Sequence, residues 1–376
     1  MRLELTPDDL AFRQSARDWL AANVPANPAP HDGSPARDHA LSWLRTRHQG
    51  GWAGIGWPAE YGGVELPPER LVIWYEEYAR ASAPSLLDPT FVSLNHAGPT
   101  LIACGTPEQK AFHLPKILSG EVLWCQGFSE PEAGSDLASL RTTAVVEGDD
   151  LVINGQKIWS SYADIADYQE LLVRSDPRSQ RHSGLSWVIC DMRSPGITVR
   201  PIRNMAGATH FAEVFYDNVR VPLANVVGAL HDGWNVAMTT LGFERKTAAM
   251  GLQLELSVKV EKLIAIAQPR PGSALAEKLG ILRAEVAGLR ALTWRTQFRE
   301  PATAFDGSLV RLTFAELSQR LHRIAMDILG PGMLEQGGWT HDYLESYSET
   351  IAGGTAEIQR NIIGERILGL PRGGAK

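Results

Sequence analysis

The stretch TTAVVEGDDLVINGQKIWSS, residues 142–161, decides the fold of this chain. Short runs rich in apolar and β-branched residues lie on both sides of a Gly-Asp-Asp turn, which is the pattern of two antiparallel strands with a tight connection. The predicted strands are 144–147 and 151–154, with a second turn at Asn154-Gly155. Further candidate strands follow without helices between them, which predicts an antiparallel barrel or sandwich; they are 169–174, 185–191, 197–201 and 212–221.

Helical periodicity occupies the sequence on both sides of these strands. Thr6-Pro7-Asp8-Asp9 is a typical helix start, with a capping hydroxyl, an early proline and acids near the positive helix end. The predicted helices are one after Thr6 and others near 41–48, 69–81, 106–118, 234–267, 274–299, 308–329 and 355–368. We therefore predict an N-terminal helical domain (1–120), a central β domain (121–230) and a C-terminal helical domain (231–376). This order excludes an alternating βαβ fold.

Composition limits the classes of function. The chain has 376 residues, 44% of them hydrophobic, and a net charge of −7. An acidic chain is a poor match for nucleic acid, because phosphate binding requires a basic face. The three distant cysteines suit a reducing compartment and show no zinc-binding spacing; they are Cys104, Cys125 and Cys190. No signal peptide or membrane-spanning run is recognised, so a cytoplasmic location is expected.

Two glycine-containing stretches have more than one interpretation. GWAGIGWPAEYGG (51–63) lacks the complete GxGxxG pattern, and its glycines and prolines favour an irregular loop between helices. IAGGTAEIQR (351–360) places Gly353, Gly354 and Thr355 before a helix. The stretch forms either an ordinary turn with a capping threonine or a backbone cradle for phosphate.

Two further stretches carry hydroxyl and aromatic groups next to the predicted strands. FSEPEAGSDLASLRTTA (128–144) contains Ser129 and Ser135, which suit either a polar connecting loop or contacts to a hydrogen-bonding cofactor. Trp159-Ser160-Ser161 follows a strand. Composition favours a core tryptophan there over an aromatic wall beside a cofactor.

Taken together, these stretches resemble the acyl-CoA dehydrogenase family of flavoproteins over nearly the whole chain. The resemblance rests on segments in the family's order and spacing, which are GWPAEYGG (56–63), GTPEQK (105–110), FSEPEAGSDLASLRTTA (128–144), INGQKIWSS (153–161), SPGITVRPI (194–202) and GGTAEIQRNIIGERILGLPR (353–372). It implies an α+β, mostly helical architecture with an N-terminal helical domain, a central antiparallel β-barrel and a C-terminal four-helix bundle. It also implies FAD as cofactor and an acyl-CoA substrate.

The resemblance also assigns cofactor contacts by motif position. Phe128 and Ser129 would contact the flavin ring, Trp159 would flank it, and Ser161 would donate a hydrogen bond to it. Three further residues would lie toward the phosphates and adenosine, and these are Ser135, Thr355 and Glu357.

The expected reaction needs a carboxylate near the α-carbon of the thioester, because water is too weak a base for that proton. Many family members carry a glutamate at the position of Gly353, which has no side chain here. In the first predicted helix after the strands, Glu244 and Arg245 fall in the gap between Leu241 and Ala248 of an apolar stripe, where the helix would present another inward residue. The stripe consists of Trp234, Met238, Leu241, Ala248 and Leu252. Without the family resemblance, this spacing favours a solvent-exposed charge pair of Glu244 and Arg245.

Isovaleryl-CoA and long-chain dehydrogenases, however, place their base at the position that matches Glu244. The resemblance therefore implies Glu244 as general base and Arg245 as a supporting residue. The Gly353 N–H would help to hold the thioester oxygen.

One family feature is missing. The Arg-x-x-Phe-Gly run that reaches the FAD of a neighbouring subunit is absent from AIAQPRPGSALAEKLG (265–280), where Arg270 is the candidate substitute. Family members form tetramers or dimers and pass electrons to an electron-transfer flavoprotein, so both are expected here. Two alternatives stay open: an oxygen-using flavin enzyme on the same fold, and a partner subunit of a heteromeric dehydrogenase.

Overall fold

The computed structural model describes residues 5–243, 249–298, 306–335 and 337–371. The chain forms two compact units, each with its own contacts. The bundle unit contains residues up to 24, residues 67–83 and the described residues from 249 onward. The sheet unit contains residues 25–66 and 84–243. The predicted domain boundaries at 120/121 and 230/231 stay predictions, because these contact units are assembled from separate stretches of the chain.

Five helices precede the sheet, and they are α1 (Pro7–Asn23), α2 (Gly33–Gln49), α3 (Pro68–Arg80), α4 (Gly98–Cys104) and α5 (Pro107–Leu118). The predicted cap of α1 is confirmed, since Thr6 Oγ1 accepts from Asp9 N at 3.2 Å and Asp9 accepts in return from Thr6 N at 3.1 Å. Helix α2 begins eight residues earlier than predicted. The loop at 51–63 is irregular, as expected, with a single 3-10 turn at Ala59–Tyr61.

Eight strands form one sheet, and they are β1 (Trp124–Gly127), β2 (Thr143–Glu147), β3 (Asp150–Ser161), β4 (Tyr168–Arg174), β5 (Leu185–Asp191), β6 (Ile197–Ile202), β7 (Phe211–Pro222) and β8 (Val226–Val227). The path runs β6-β7-β3-β2-β4-β5-β8, and β1 pairs with β4. The predicted hairpin is confirmed by the antiparallel pairing of β2 with β3. The purely antiparallel expectation is wrong, because β1 runs parallel to β4, and Thr143 of β2 also pairs in parallel with Arg174 of β4.

The predicted turn at Asn154-Gly155 is also wrong, because β3 continues through it. The pairing of β3 with β7 shifts register between Ile153 and Gly155, which is the signature of a bulge that absorbs an extra residue. Gly155 has φ +150°, and a Cβ there would lie 2.6 Å from Thr142 Oγ1. The glycine therefore serves close approach within a strand and does not reverse the chain.

In the described ranges after the sheet, the α-helices are α6 (Gly233–Phe243), α7 (Ala249–Ala267), α8 (Ala274–Phe298), α9 (Asp306–Leu329), α10 (Gly338–Glu345) and α11 (Ala356–Ile362). Helix α6 packs on α4 and β5 in the sheet unit. Helices α7, α8 and α9 contact one another, and α11 contacts α9, which gives the predicted helical bundle. Its core includes Leu263, Leu282 and Leu321.

Buried carboxylates connect three helices of the bundle unit. Glu76 of α3 is 3% exposed and accepts from Arg13 Nη2 of α1 at 2.7 Å and from Arg290 Nε of α8 at 2.9 Å. Glu77 accepts from Arg17 Nε at 2.9 Å. Burial alone would raise the pKa of Glu77, but the hydrogen bonds and charges of Arg17 and Arg80 together outweigh burial and keep that pKa below its usual value. These charges attach α3 to both α1 and α8.

Among the helices in the described ranges, none is both long enough and apolar enough to cross a bilayer.

Candidate functional site

The sheet unit brings together four of the residues for which the family resemblance implies contacts with the cofactor. Phe128 and Ser129 directly follow β1, and Trp159 and Ser161 lie near the end of β3. The two segments are adjacent, because Ile158 N donates to the Ser129 carbonyl at 2.9 Å. Phe128 is buried, whereas Ser129 and Ser161 are partly exposed.

Trp159 is not a core residue, so the composition-based interpretation is wrong. The residue is 57% exposed, and its ring packs edge-to-face with the Phe211 ring at a centroid separation of 6.0 Å. The physical reason is a second register shift in β3, between Lys157 and Ser160, where Trp159 adopts φ +61°. This left-handed backbone turns the indole outward, and backbone strain of this kind is concentrated at functional sites. An exposed aromatic face beside Ser161 fits a flat cofactor ring.

Ser135 lies apart from the strands, in the exposed loop before the 3-10 turn Leu137–Ser139. Its hydroxyl is therefore accessible to a polar ligand.

The bundle unit holds the other three described residues of the predicted site. Gly353 and Gly354 have φ values of +63° and +89°, which explains two glycines in succession. Thr355 caps α11, since its Oγ1 accepts from Ile358 N at 3.2 Å, and Glu357 is exposed in the first turn. The cap is thus confirmed. Because Thr355 Oγ1 accepts this bond, its hydroxyl proton can still be donated to a phosphate oxygen. The interpretation of this loop as a phosphate-binding site therefore remains compatible with the cap.

Sequence reasoning missed the side chains that hold this glycine loop in place. Arg311 Nη2 donates to the Ala352 carbonyl at 3.0 Å. Gln359, which is buried, donates to the carbonyls of Gly353 and Gly354 at 3.1 and 3.2 Å. A loop with two glycines loses much entropy on ordering, and these bonds offset that loss. The available sequence signal was a glutamine five residues after Gly354.

Glu244 and Arg245, the predicted base and its support, lie outside the described residues. The stripe from which Glu244 was inferred differs in the structure, because Met238 is 37% exposed while Val236, Ala237 and Thr240 are buried. Thr240 Oγ1 accepts from Thr100 Oγ1 at 2.9 Å. The buried face of α6 therefore follows Ala237 and Thr240.

A buried ion pair that the sequence analysis did not predict contacts the Phe128–Ser129 segment. Lys157 Nζ donates to Glu130 Oε1 at 2.7 Å and to the Phe128 carbonyl at 3.0 Å. Burial lowers the pKa of Lys157 to about 8, although the Glu130 charge acts in the opposite direction. A lysine inside a strand of apolar residues was the sequence signal, but its partner is 27 residues away.

A second polar cluster joins α7 to α10 in the bundle unit, and the side chains of its Lys259 and Asp342 are each 34% exposed. Lys259 Nζ lies 2.8 Å from Asp342 Oδ2. Burial raises the pKa of Glu349 to about 7, against the effects of Ser318 and Lys259, and lowers the pKa of His322 to about 4. Glu349 thus becomes charged near neutral pH inside the bundle unit.

We expect Glu349→Gln to stabilise the protein at pH 8 but much less at pH 5. The folded pKa of about 7 lies above the ordinary 4.5, so the folded state binds more protons and stability falls as pH rises through this window. The gain between pH 5 and pH 8, measured as free energy of urea unfolding, should be about 2 kcal/mol. Glu277→Gln, at an exposed position, is the control. An equal gain at both pH values would contradict the expectation.

Three family models match this chain. The N-terminal domain of acyl-CoA dehydrogenases matches residues 6–121, the middle domain matches 125–219, and the C-terminal domain matches 231–368.

Individual proteins are similar to this chain over nearly its full length. The chain is 41% identical to "Acyl-CoA dehydrogenase IpdE1" of Mycobacterium tuberculosis, over 96% of this chain and 97% of the relative. A solved structure described as "Tcur3481-Tcur3483 steroid ACAD" superposes with a TM-score of 0.88 at 30% identity and covers 99% of this chain and 100% of its own. The ChsE4-ChsE5 complex from Mycobacterium tuberculosis gives 0.84 at 32% identity, with complete coverage of both chains.

Proposed function

This chain belongs to the acyl-CoA dehydrogenase family of FAD flavoproteins, and we propose that it oxidises an acyl-CoA thioester to the trans-2-enoyl-CoA. The α-hydrogen leaves as a proton and the β-hydrogen as a hydride. The observation that carries the proposal is the outward Trp159 face next to Ser161 and the Phe128–Ser129 segment.

The residues present fit FAD. An exposed indole offers a flat apolar surface, and the hydroxyls of Ser129 and Ser161 offer hydrogen bonds to ring heteroatoms. Thr355 and Glu357 are proposed for the phosphate and adenosine end, and Ser135 for the region near the phosphates. When bound, FAD supplies the hydride acceptor, while the protein orients the thioester and excludes water.

Glu244 is proposed as the general base. It follows Thr240 by four positions and Ala237 by seven, which is the spacing at which a helix repeats one face. Arg245 is proposed to support it. The Gly353 N–H would hold the thioester oxygen and stabilise the charge that develops when the α-proton leaves.

We further propose a bulky, steroid-derived acyl chain as the substrate class. Support comes from the similarity to the structure described as a steroid acyl-CoA dehydrogenase. A base at position 244 together with a glycine at 353 agrees with this, because that arrangement resembles members acting on branched, long or bulky chains.

A heteromeric assembly is the second proposal on the same site. The similar ChsE4-ChsE5 structure is a complex of two named chains, and this chain lacks the Arg-x-x-Phe-Gly run. A second, related chain would then supply the missing arginine, whereas a homotetramer or dimer would need Arg270 or another residue. An electron-transfer flavoprotein is proposed as electron acceptor in either assembly, and a cytoplasmic location is proposed with it.

The test is anaerobic reduction of the bound flavin by a panel of acyl-CoA thioesters of short, branched, long and steroid-derived chains. We expect bleaching of the yellow colour with at least one thioester, and the fastest bleaching with the steroid-derived chain. A flavin-loaded protein that no thioester reduces would overturn the dehydrogenase proposal. Rapid reoxidation of the reduced flavin by air would favour the oxygen-using alternative, and a colourless chain that becomes active only with a second chain would favour a partner subunit.

A further inference from the structure

The ammonium group of Lys157 is completely buried and reaches the main chain of the segment proposed to contact the flavin. Its side chain is 0% exposed, and its Nζ donates to the Phe128 carbonyl at 3.0 Å. The next residue of β3 continues the pattern, because Ile158 N donates to the Ser129 carbonyl at 2.9 Å. Two successive carbonyls are thus fixed by two successive residues of one strand.

These bonds set the direction of the peptide between Phe128 and Ser129. A trans peptide is planar, with its C=O and N–H pointing in opposite directions. Because the Phe128 carbonyl points at Lys157, the Ser129 N–H points away from the buried ammonium. A hydrogen bond from a charged donor to the carbonyl also polarises the peptide, which makes the Ser129 N–H a stronger donor.

Glu130 completes the arrangement and neutralises the lysine. Its Oε1 accepts from Lys157 Nζ at 2.7 Å and from Thr142 N at 2.9 Å, and its Oε2 accepts from Arg141 N at 2.6 Å. A buried ammonium without such a partner would be strongly unfavourable. The ion pair therefore joins the 128–130 segment, the 141–142 segment and β3 at one point.

We propose that Lys157 is a positioning residue that orients and polarises the 128–129 peptide toward the flavin ring. This inference rests on the proposed FAD-dependent function. A donor strengthened in this way favours the reduced flavin, which carries more negative charge than the oxidised form. Loss of the ammonium should therefore weaken FAD binding and make the flavin midpoint potential more negative.

The experiment compares wild type with Lys157→Met and with the charge-balanced double variant Lys157→Met/Glu130→Gln. The double variant removes the unpaired buried carboxylate and keeps one side-chain oxygen, which can accept from either the Arg141 or the Thr142 amide. It is therefore expected to be less destabilised than Lys157→Met alone. Lys116→Met is the control, because Lys116 pairs with Glu121 at 3.9 Å at the surface. Each protein is purified with any partner chain that accompanies it. The FAD dissociation constant, the midpoint potential and the thermal melting temperature are measured.

We expect the double variant to melt closer to the wild-type temperature than Lys157→Met does, to bind FAD about tenfold more weakly than wild type and to show a more negative potential. In flavin-free protein, amide hydrogen exchange of residues 127–130 should accelerate. The Lys116 control should match wild type in every measurement. A folded double variant with the wild-type FAD dissociation constant, midpoint potential and amide exchange would overturn the role of Lys157 but not the proposed function. A wild-type protein without affinity for FAD would overturn the proposed function as well.

Discussion

Glu244→Gln should lower the rate of flavin reduction by acyl-CoA about 10³-fold while the protein still binds FAD. The amide has nearly the shape of the carboxylate but cannot accept the α-proton. The loss should appear in the rate of reduction at saturating substrate, because the proton is transferred after the thioester has bound.

The size of this effect follows from the lack of a substitute at the usual position. Gly353 has no side chain, and its φ of +63° is a conformation that disfavours a residue with a Cβ. Its carbonyl also accepts from Gln359, which fixes the loop backbone. The glycine can therefore offer only its N–H to the thioester, and proton removal depends on another group.

Single-turnover reduction with an excess of thioester is the decisive measurement. Glu335→Gln, at an exposed position in the bundle unit, serves as the control and should retain the wild-type rate. If the Glu244→Gln variant contained full FAD and its flavin were reduced at the wild-type rate, Glu244 would be excluded as the base. Substrate specificity alone would not be decided by that result.

Local patterns in the sequence were sufficient for most of the fold. Thr6 caps α1 as predicted, and the bond partner Asp9 lies within the same helical turn. The hairpin of β2 and β3 follows from two short apolar, β-branched runs on either side of a short turn. Asn154-Gly155 was predicted to form a turn, because glycine and asparagine occur in both turns and bulges. Only the partner strand β7, about 60 residues later, distinguishes them.

The candidate site was less accessible from sequence, because its geometry depends on contacts between distant residues. Trp159 faces outward only because of a register shift against β7, which no local pattern records. Lys157 and Glu130 look like ordinary surface charges until β3 is placed against the segment after β1. The family resemblance located the stretches, and the structure supplied their orientation.

The Glu76 network has the second large expected effect. Glu76 on α3 is almost completely buried and is contacted by Arg13 from α1 and Arg290 from α8. Neutralising Glu76 would remove the buried carboxylate that Arg13 and Arg290 both contact, and breaking a buried ion pair typically costs several kcal/mol. The charge of Glu76 therefore stabilises the attachment of the N-terminal helices to the C-terminal helices within the bundle unit.

Glu76→Gln should lower the free energy of unfolding by about 3 kcal/mol, measured by urea titration at pH 7.5. The matched control is Glu261→Gln, which removes an exposed pair with Arg283, where both side chains are more than half exposed. That control should cost less than about 1 kcal/mol, since solvent screens the pair. Equal losses in the two variants would show that burial adds nothing to the Glu76 interaction. The joining of α1, α3 and α8 would then have to come from apolar packing.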